Sequence, residues 1–555
     1  MGIARRLYLY AIAAISLLVL AFGLYSLVAV ALGEIADAID ATVIAGDSSG
    51  REQLSLAIAL VVVGAPVFAI HWWLVGRGWL GSGEAAADDR RSAIRAFHMG
   101  LVATVALGFG LYAALSLAER GLAAILGVDL DRGRMTDEFA ILVIAGPVWW
   151  YHTRRRNADI RHDRLTGAAS WLTRLHRYGW AFIGLMFLVV GASQVIETMA
   201  SVLIGRSDFG GSDWWRRPVA WSVATMVVGA GIWRFHLDDA AKAIRDAATI
   251  GEDDRERALR LTFFGAVVLV ALADVGVTAA TSIAGLGRSL LGVADDSSVV
   301  GFLESVVGPL VVAIPFALAG WLHWGAQRRE AAGRNSPALA AAERLALHLA
   351  SFVGLAFLAV GIARLTGLLL EQVLGAAPAD DLFRYEMAWY FAQVIVGAAL
   401  WVPAWSAVVR RRTGQPALER HAATSRAYLY LVVGGALIAG VPSAVFALYR
   451  LIDTGLGGHG TALGSDLAIA IAIIAVAAIG AAYHGRLLVS DLRLTSAAQA
   501  AALPTIVAPA IEAGAELSAP TTRTLVLRGA GGEDLTAVAA SLREHLPPGV
   551  SLEDR

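Results

Sequence analysis

The chain has 555 residues, of which 57% are hydrophobic and 16% charged, with a formal net charge of −1 and a mean hydropathy of +0.63. A soluble chain of this length needs far more polar surface, so the composition specifies a multi-span membrane protein. The charge balance offers no basic face for nucleic acid, and the lack of any cysteine excludes disulfides, thiolate metal sites and thiol catalysis.

Arg5-Arg6 opens an apolar run that lasts to Leu32. It is longer than the core of a cleavable signal peptide, and its pattern returns downstream, so it is expected to be a first span. Further runs long enough for about 30 Å of hydrocarbon fall near 54–75, 97–118, 139–152, 179–204, 219–236, 262–284, 302–324, 346–370, 387–408, 428–448 and 466–488. The 139–152 run is short, and Trp149, Trp150 and Tyr151 extend it to headgroup depth. About twelve transmembrane helices are therefore expected.

They recur as pairs. Arginine-led starts at Arg6, Arg91, Arg174, Arg257, Arg344 and Arg426 are 82 to 87 residues apart, and the second run of five copies closes on a histidine. A fixed period means one supersecondary unit stacked repeatedly. The expected fold is an all-α polytopic membrane protein. Its transmembrane domain, 1–493, holds six tandem two-helix repeats near 5–80, 91–160, 174–245, 257–330, 344–412 and 426–493.

Arginines gather after even-numbered spans, as at Arg154, Arg155 and Arg156 or Arg410, Arg411 and Arg412, whereas the loops 34–50 and 292–301 are acidic. The positive-inside rule then places both termini in the cytoplasm, with the cell membrane as location. Gly64, Gly108, Gly110, Gly229, Gly231, Gly397, Gly434 and Gly435 are expected to permit close helix approach. Pro66, Pro147, Pro309, Pro315 and Pro403 lie inside spans and are expected to bend them. An Ala/Pro-rich linker, 494–522, leads to a small α/β cytoplasmic tail, 523–555, of βαβ size. Such a tail is too small to stand alone and reads as a docking or self-association module.

Two groups of residues can carry chemistry. The repeated histidines His71, His152, His236, His323 and His484 form a layer at the cytoplasmic interface. They read first as interfacial anchors beside aromatic rings, and otherwise as proton-responsive groups or haem ligands. The intramembrane polar residues are Asp274, Glu197 and Arg364. A lone carboxylate at depth costs roughly 2.5–3.5 kcal/mol on insertion scales, so Asp274 must protonate, find a partner or face a polar interior. Glu197 and Arg364 stand at matching depth near the outer interface, placed either to pair across hairpins three and five or to snorkel to the headgroups.

The frame Gly64-x-Pro66-Val67 to His71-Trp72 returns as Gly146-Pro147-Val148 to His152-Thr153, while Ala404 breaks the histidine of the fifth copy. With the Arg6-Leu-Tyr8-Leu-Tyr10 start, this pattern resembles a bacterial domain-of-unknown-function family of multi-pass membrane proteins built from tandem paired helices. The resemblance implies membrane topology over about residues 5–490, and no activity or cofactor. No nucleophile, metal-site or paired-carboxylate motif is present, so the expectation is a non-enzymatic scaffold, assembly or sensory component without cofactor. A transporter or channel acting through Asp274 is the alternative, and a haem-binding electron carrier a third. The expected partners are the lipid bilayer and a cytoplasmic protein, or a second copy, at 523–555.

Overall fold

The computed structural model describes residues 3–40, 48–80, 83–129, 132–162, 165, 167–205, 213–248, 253–331, 337–376, 378–457 and 463–502. These are helical, with no strand among the described residues. The tail read as a βαβ module lies outside them. Helices α1 (Ile3–Asp40) and α2 (Ser48–Trp79) form a first hairpin, and the short α3 (Glu84–Arg90) leads to a second, α4 (Ala93–Ile125) with α5 (Arg132–His162). The third is α6 (Gly167–Leu203) with α7 (Arg216–Ala248). The fourth pairs α8 (Asp253–Leu290) with a broken helix: α9 (Val299–Phe302), a π-helical turn at Leu303–Val307, α10 (Gly308–Val312) and α11 (Ile314–Ala331). Helices α12 (Pro337–Val373) and α13 (Asp380–Gly414) make the fifth, and α14 (Pro416–Arg420) leads to α15 (Ala423–Gly455) and α16 (Leu463–Ala502). The stretch read as a linker begins as helix, because α16 runs on to Ala502.

Ten of the described helices are long and apolar enough to cross a bilayer, the broken fourth-hairpin helix counting as one of them. α5 and α7 fall short of that hydropathy, because their apolar runs end at His152 and His236 and charged turns follow. Both nevertheless pack as the second arm of a hairpin.

Residues up to Ser496 form one compact unit. Within it, every extensive helix contact among the described residues lies inside a hairpin or between successive hairpins. α1 meets α4 and α5, α4 meets α6 and α7, α6 meets α8 and α11, and α8 meets α12 and α13. This side-by-side order is that of a solenoid, in which each unit buries a face only against its neighbours.

Small residues set the tightest crossings. A methyl at Gly229 would lie 2.5 Å from the Leu188 nitrogen and 2.7 Å from the Gly184 oxygen, and one at Gly64 would lie 3.0 Å from the Leu20 nitrogen. Gly397 abuts Leu358 in the same way. Gly108, Gly231, Gly434 and Gly435 face open space instead, so the expectation that all the paired glycines serve packing holds for only part of the set. Pro66, Pro147 and Pro403 sit within uninterrupted helices. Pro309 and Pro315 flank the break at Ala313, where two missing backbone donors in close succession stop the helical ladder.

Candidate functional site

The second-arm histidines are less exposed than interfacial anchors. His152, His236, His323 and His484 are 2%, 1%, 9% and 2% exposed, and only His71 is half-buried. The Nδ1 atoms of four of them are held from within the helix, whereas that of His236 has no partner among the described residues. Those of His71, His152 and His323 donate to the carbonyls of Val67, Val148 and Ala319 at 2.8 Å, and that of His484 to Gly480 at 3.0 Å. A carbonyl only accepts, so Nδ1 carries the proton and Nε2 presents a lone pair.

Each of these rings meets a ring from the first arm of its own hairpin. Tyr8 packs on His71 at 5.8 Å, and His98 on His152 and His176 on His236 at 5.9 Å. Phe264 packs on His323 at 5.6 Å and Tyr428 on His484 at 5.9 Å. The fifth hairpin, with Ala404, has no such pair, and its first-arm His348 turns to Tyr428 at 5.2 Å. Tryptophan from the preceding hairpin closes two of the clusters identically: Trp72 Nε1 donates to the Tyr151 hydroxyl, and Trp405 Nε1 to that of Tyr483, both at 2.8 Å.

Past the rings, arginines pair with carboxylates late in or just beyond the second arms, Arg95, Arg177, Arg257 and Arg344 coming from first arms. Arg95 grips Asp159 with Nε at 2.7 Å and Nη2 at 3.1 Å and donates to the Tyr10 hydroxyl at 3.1 Å. Arg177 pairs with Asp239 at 2.8 Å, Arg257 with Glu330, and Arg344 with Glu419 at 3.7 Å. Asp491, fully buried, takes Arg412 at 2.8 Å and Arg420 at 2.7 Å. Sequence reasoning missed His98, His176, His348 and these carboxylates. One signal for them was visible: His152, His323 and His484 are each followed seven residues later by an acid, Asp159, Glu330 or Asp491.

At the first junction Arg6 bonds Asp89 at 2.9 Å and also reaches Asp88, tying α1 to α3. The Arg6 guanidinium holds the Asp88 carboxyl below the usual carboxylate range. A folded-state value below the unfolded one gives stability that is present above about pH 4 and lost as pH falls through the lower, folded value. The expected result is that hydrogen-exchange protection of residues 3–10 declines as pH falls below about 4, and that Asp88→Asn lessens this pH response.

The intramembrane candidates separate. Arg364 does not meet Glu197: its Nε donates to the Tyr390 hydroxyl at 3.0 Å and its guanidinium lies 5.0 Å from that ring's centre, while Glu197 is exposed on α6. Matching depth did not suffice, because the two helices belong to hairpins two steps apart in the row. Asp274 is half-buried, and its Oδ2 is shielded without a hydrogen-bond partner. It lies three residues after Ala271, which touches Gly320, and eleven before Gly285, which sits on the Ser305 carbonyl. Both spacings return to one helix face, so Asp274 faces the broken α9–α11.

A family model matches the chain three times, over residues 6–138, 174–318 and 344–479. The chain belongs to the family described as Domain of unknown function (DUF5671). Each DUF5671 match opens in the first arm of an odd-numbered hairpin and ends in the second arm of the next one, so it spans four long helices. The seven-residue histidine-to-acid spacing recurs just beyond the end of each match, in the second, fourth and sixth hairpins. No curated relative and no solved structure matches the chain.

Proposed function

We propose that this DUF5671 protein is a non-enzymatic membrane scaffold of twelve spans, built as six hairpins of one sidedness in the cell membrane with both termini cytoplasmic. The carrying observation is where the polar groups go. Between successive hairpins Trp72 bonds Tyr151, Arg95 bonds Tyr10, Trp405 bonds Tyr483 and Arg412 bonds Asp491, while Arg95–Asp159 and Arg177–Asp239 tie the two arms of one hairpin, so these polar groups are spent on fastening helices together. A cavity of about 510 Å³ between α1, α4 and α5 is lined by Ile15, Phe22, Leu101, Phe109, Ile144 and Val148 and the like, a lining for hydrocarbon. The module at 523–555 presents to a cytoplasmic protein or a second copy. Crosslinking in membranes followed by purification of the full chain should yield a stoichiometric partner or dimer that deletion of 523–555 removes; the same product from the truncated chain rejects the reading. Impermeant labelling of cysteines placed at Arg154 and Arg410 should give the same sidedness.

A proton- or ion-coupled transporter is the second reading, supported by Asp274. An unpartnered carboxylate opposite a discontinuous helix is an arrangement that lets backbone carbonyls and an acid share a cation. Proteoliposomes should then show proton-coupled flux that Asp274→Asn reduces at least tenfold, and equal flux in that variant removes Asp274 from the mechanism. The His98–His152 pair does not favour haem, because Trp72 packs directly on both rings at 5.7 and 5.8 Å.

A further inference from the structure

The repeat supplies its own control for one residue. Four positions after the second-arm histidine, or after Ala404, the hairpins place Val75, Ala240, Val408 and Leu488, all buried, and Gln327 in the fourth. The second hairpin places Arg156 there. The sequence reads it as one of a cluster of loop arginines, yet α5 continues to His162 and Arg156 is 4% exposed inside the protein. Its Nε and Nη1 have no acceptor among the described residues. The nearest acid in electrostatic reach, Asp239, is bonded to Arg177. A guanidinium stays ionised, and a buried ion without a counter-charge costs several kcal/mol.

The surroundings add donors, and the one carboxylate in electrostatic reach, Asp239, is shared with Arg177. Trp149, Thr153 and Arg156 follow one another at helical spacings of four and three, on one face of α5. Trp149 packs on Phe235 of α7 at 5.5 Å, so that face looks onto the third hairpin. The Trp149 Nε1, Thr153 Oγ1, His176 Nε2 and His236 Nδ1 atoms are all buried and unpartnered as well. Thr104 explains the state of His176. Its hydroxyl accepts from Trp180 Nε1 at 3.3 Å and lies 3.0 Å from His176 Nδ1. If that hydroxyl donates to Nδ1, the proton of neutral His176 stands on Nε2. Indole, hydroxyl and guanidinium hydrogens of α5 thus lie near the His176 imidazole of α6, where two guanidiniums, Arg156 and Arg177, share one carboxylate, Asp239.

The geometry points to a binding site for a tetrahedral oxyanion of the phosphate class between the second and third hairpins, held by Arg156 and Thr153 with His176 opposite. Guanidinium, hydroxyl and imidazole donors on two helices suit a tetrahedral anion better than a planar carboxylate. Arg156 lies beyond His152, at the arginine-rich end of the hairpins, and a phospholipid headgroup and inorganic phosphate share the chemistry that would engage it. Thr153 and Arg156 lie between the first two DUF5671 matches, and His176 near the start of the second.

The test uses the full chain in a phosphate-free maltoside detergent. Thermal midpoints are compared with added phosphatidylglycerol, with inorganic phosphate, and with chloride at equal ionic strength. A rise with phosphatidylglycerol alone identifies a lipid site, and a rise with phosphate identifies a free-anion site; either supports the proposal. Arg156→Leu, which installs the side chain of the sixth hairpin, is expected to abolish the rise while leaving the ligand-free midpoint equal or higher. Thr153→Val keeps charge and volume, and should weaken binding roughly tenfold, the worth of one hydrogen bond to a charged group. No rise above chloride in the native chain, or an unchanged rise in Arg156→Leu, overturns the site, as does native affinity in Thr153→Val.

Discussion

Arg95→Met should lower the stability of the folded membrane unit by about 3–5 kcal/mol, seen as a large fall in the thermal midpoint in detergent. Arg95 is fully buried and Asp159 nearly so, and two hydrogen bonds join them while a third reaches Tyr10 of the first hairpin. Removing the guanidinium strands a carboxylate in a buried site, and takes from the Tyr10 hydroxyl the hydrogen bond it receives from Arg95. The cost comes from that stranded charge, not from the attraction lost. Hence Arg95→Met combined with Asp159→Leu should recover most of the loss, because replacing a buried pair by apolar groups of similar volume is close to neutral. A double variant as unstable as the single one would show that Arg95 acts through another contact.

Gly229→Leu should be comparably damaging for a steric reason, while Gly108→Leu should be nearly silent. A Cβ at Gly229 meets the Leu188 nitrogen and the Gly184 oxygen, which are backbone atoms of α6 and cannot rotate away. The two helices must separate along the whole crossing, breaking the packing that seats His176 against His236. Overpacking of this kind costs about 1–3 kcal/mol and sometimes more, and the backbone clash places Gly229→Leu at the upper end. Gly108 has no neighbouring atom within 4 Å of such a methyl. Parallel thermal melts of the two variants test the contrast, and equal midpoints would refute it.

The difference between those two glycines shows where the sequence is informative. Both sit in small-residue frames inside apolar runs, and no local pattern separates the one at a crossing from the one facing outward. What recurs could be read: the helix pairs, and the histidines that end their second arms. What depends on the angle between helices could not. Asp159, Glu330 and Asp491 look like ordinary charges after a span until the first arm of each hairpin brings an arginine to them or, for Asp491, the preceding hairpin does. Arg156 was legible only as a loop cation because the apolar run stops at His152, whereas the helix continues for ten more residues. Arg364 and Glu197 shared depth but not adjacency, and adjacency is set by the order of hairpins in the row.

That order bears on how the molecule is made. A hairpin leaving the insertion machinery finds its docking surface already present on the one synthesised before it, and needs nothing from those still to come. Assembly can therefore proceed from the amino terminus by successive local additions, with low contact order and without long-range closure. Trimming the chain from its carboxyl end at a hairpin boundary removes a single junction, whereas excising an internal hairpin destroys two and brings surfaces together that never evolved to meet.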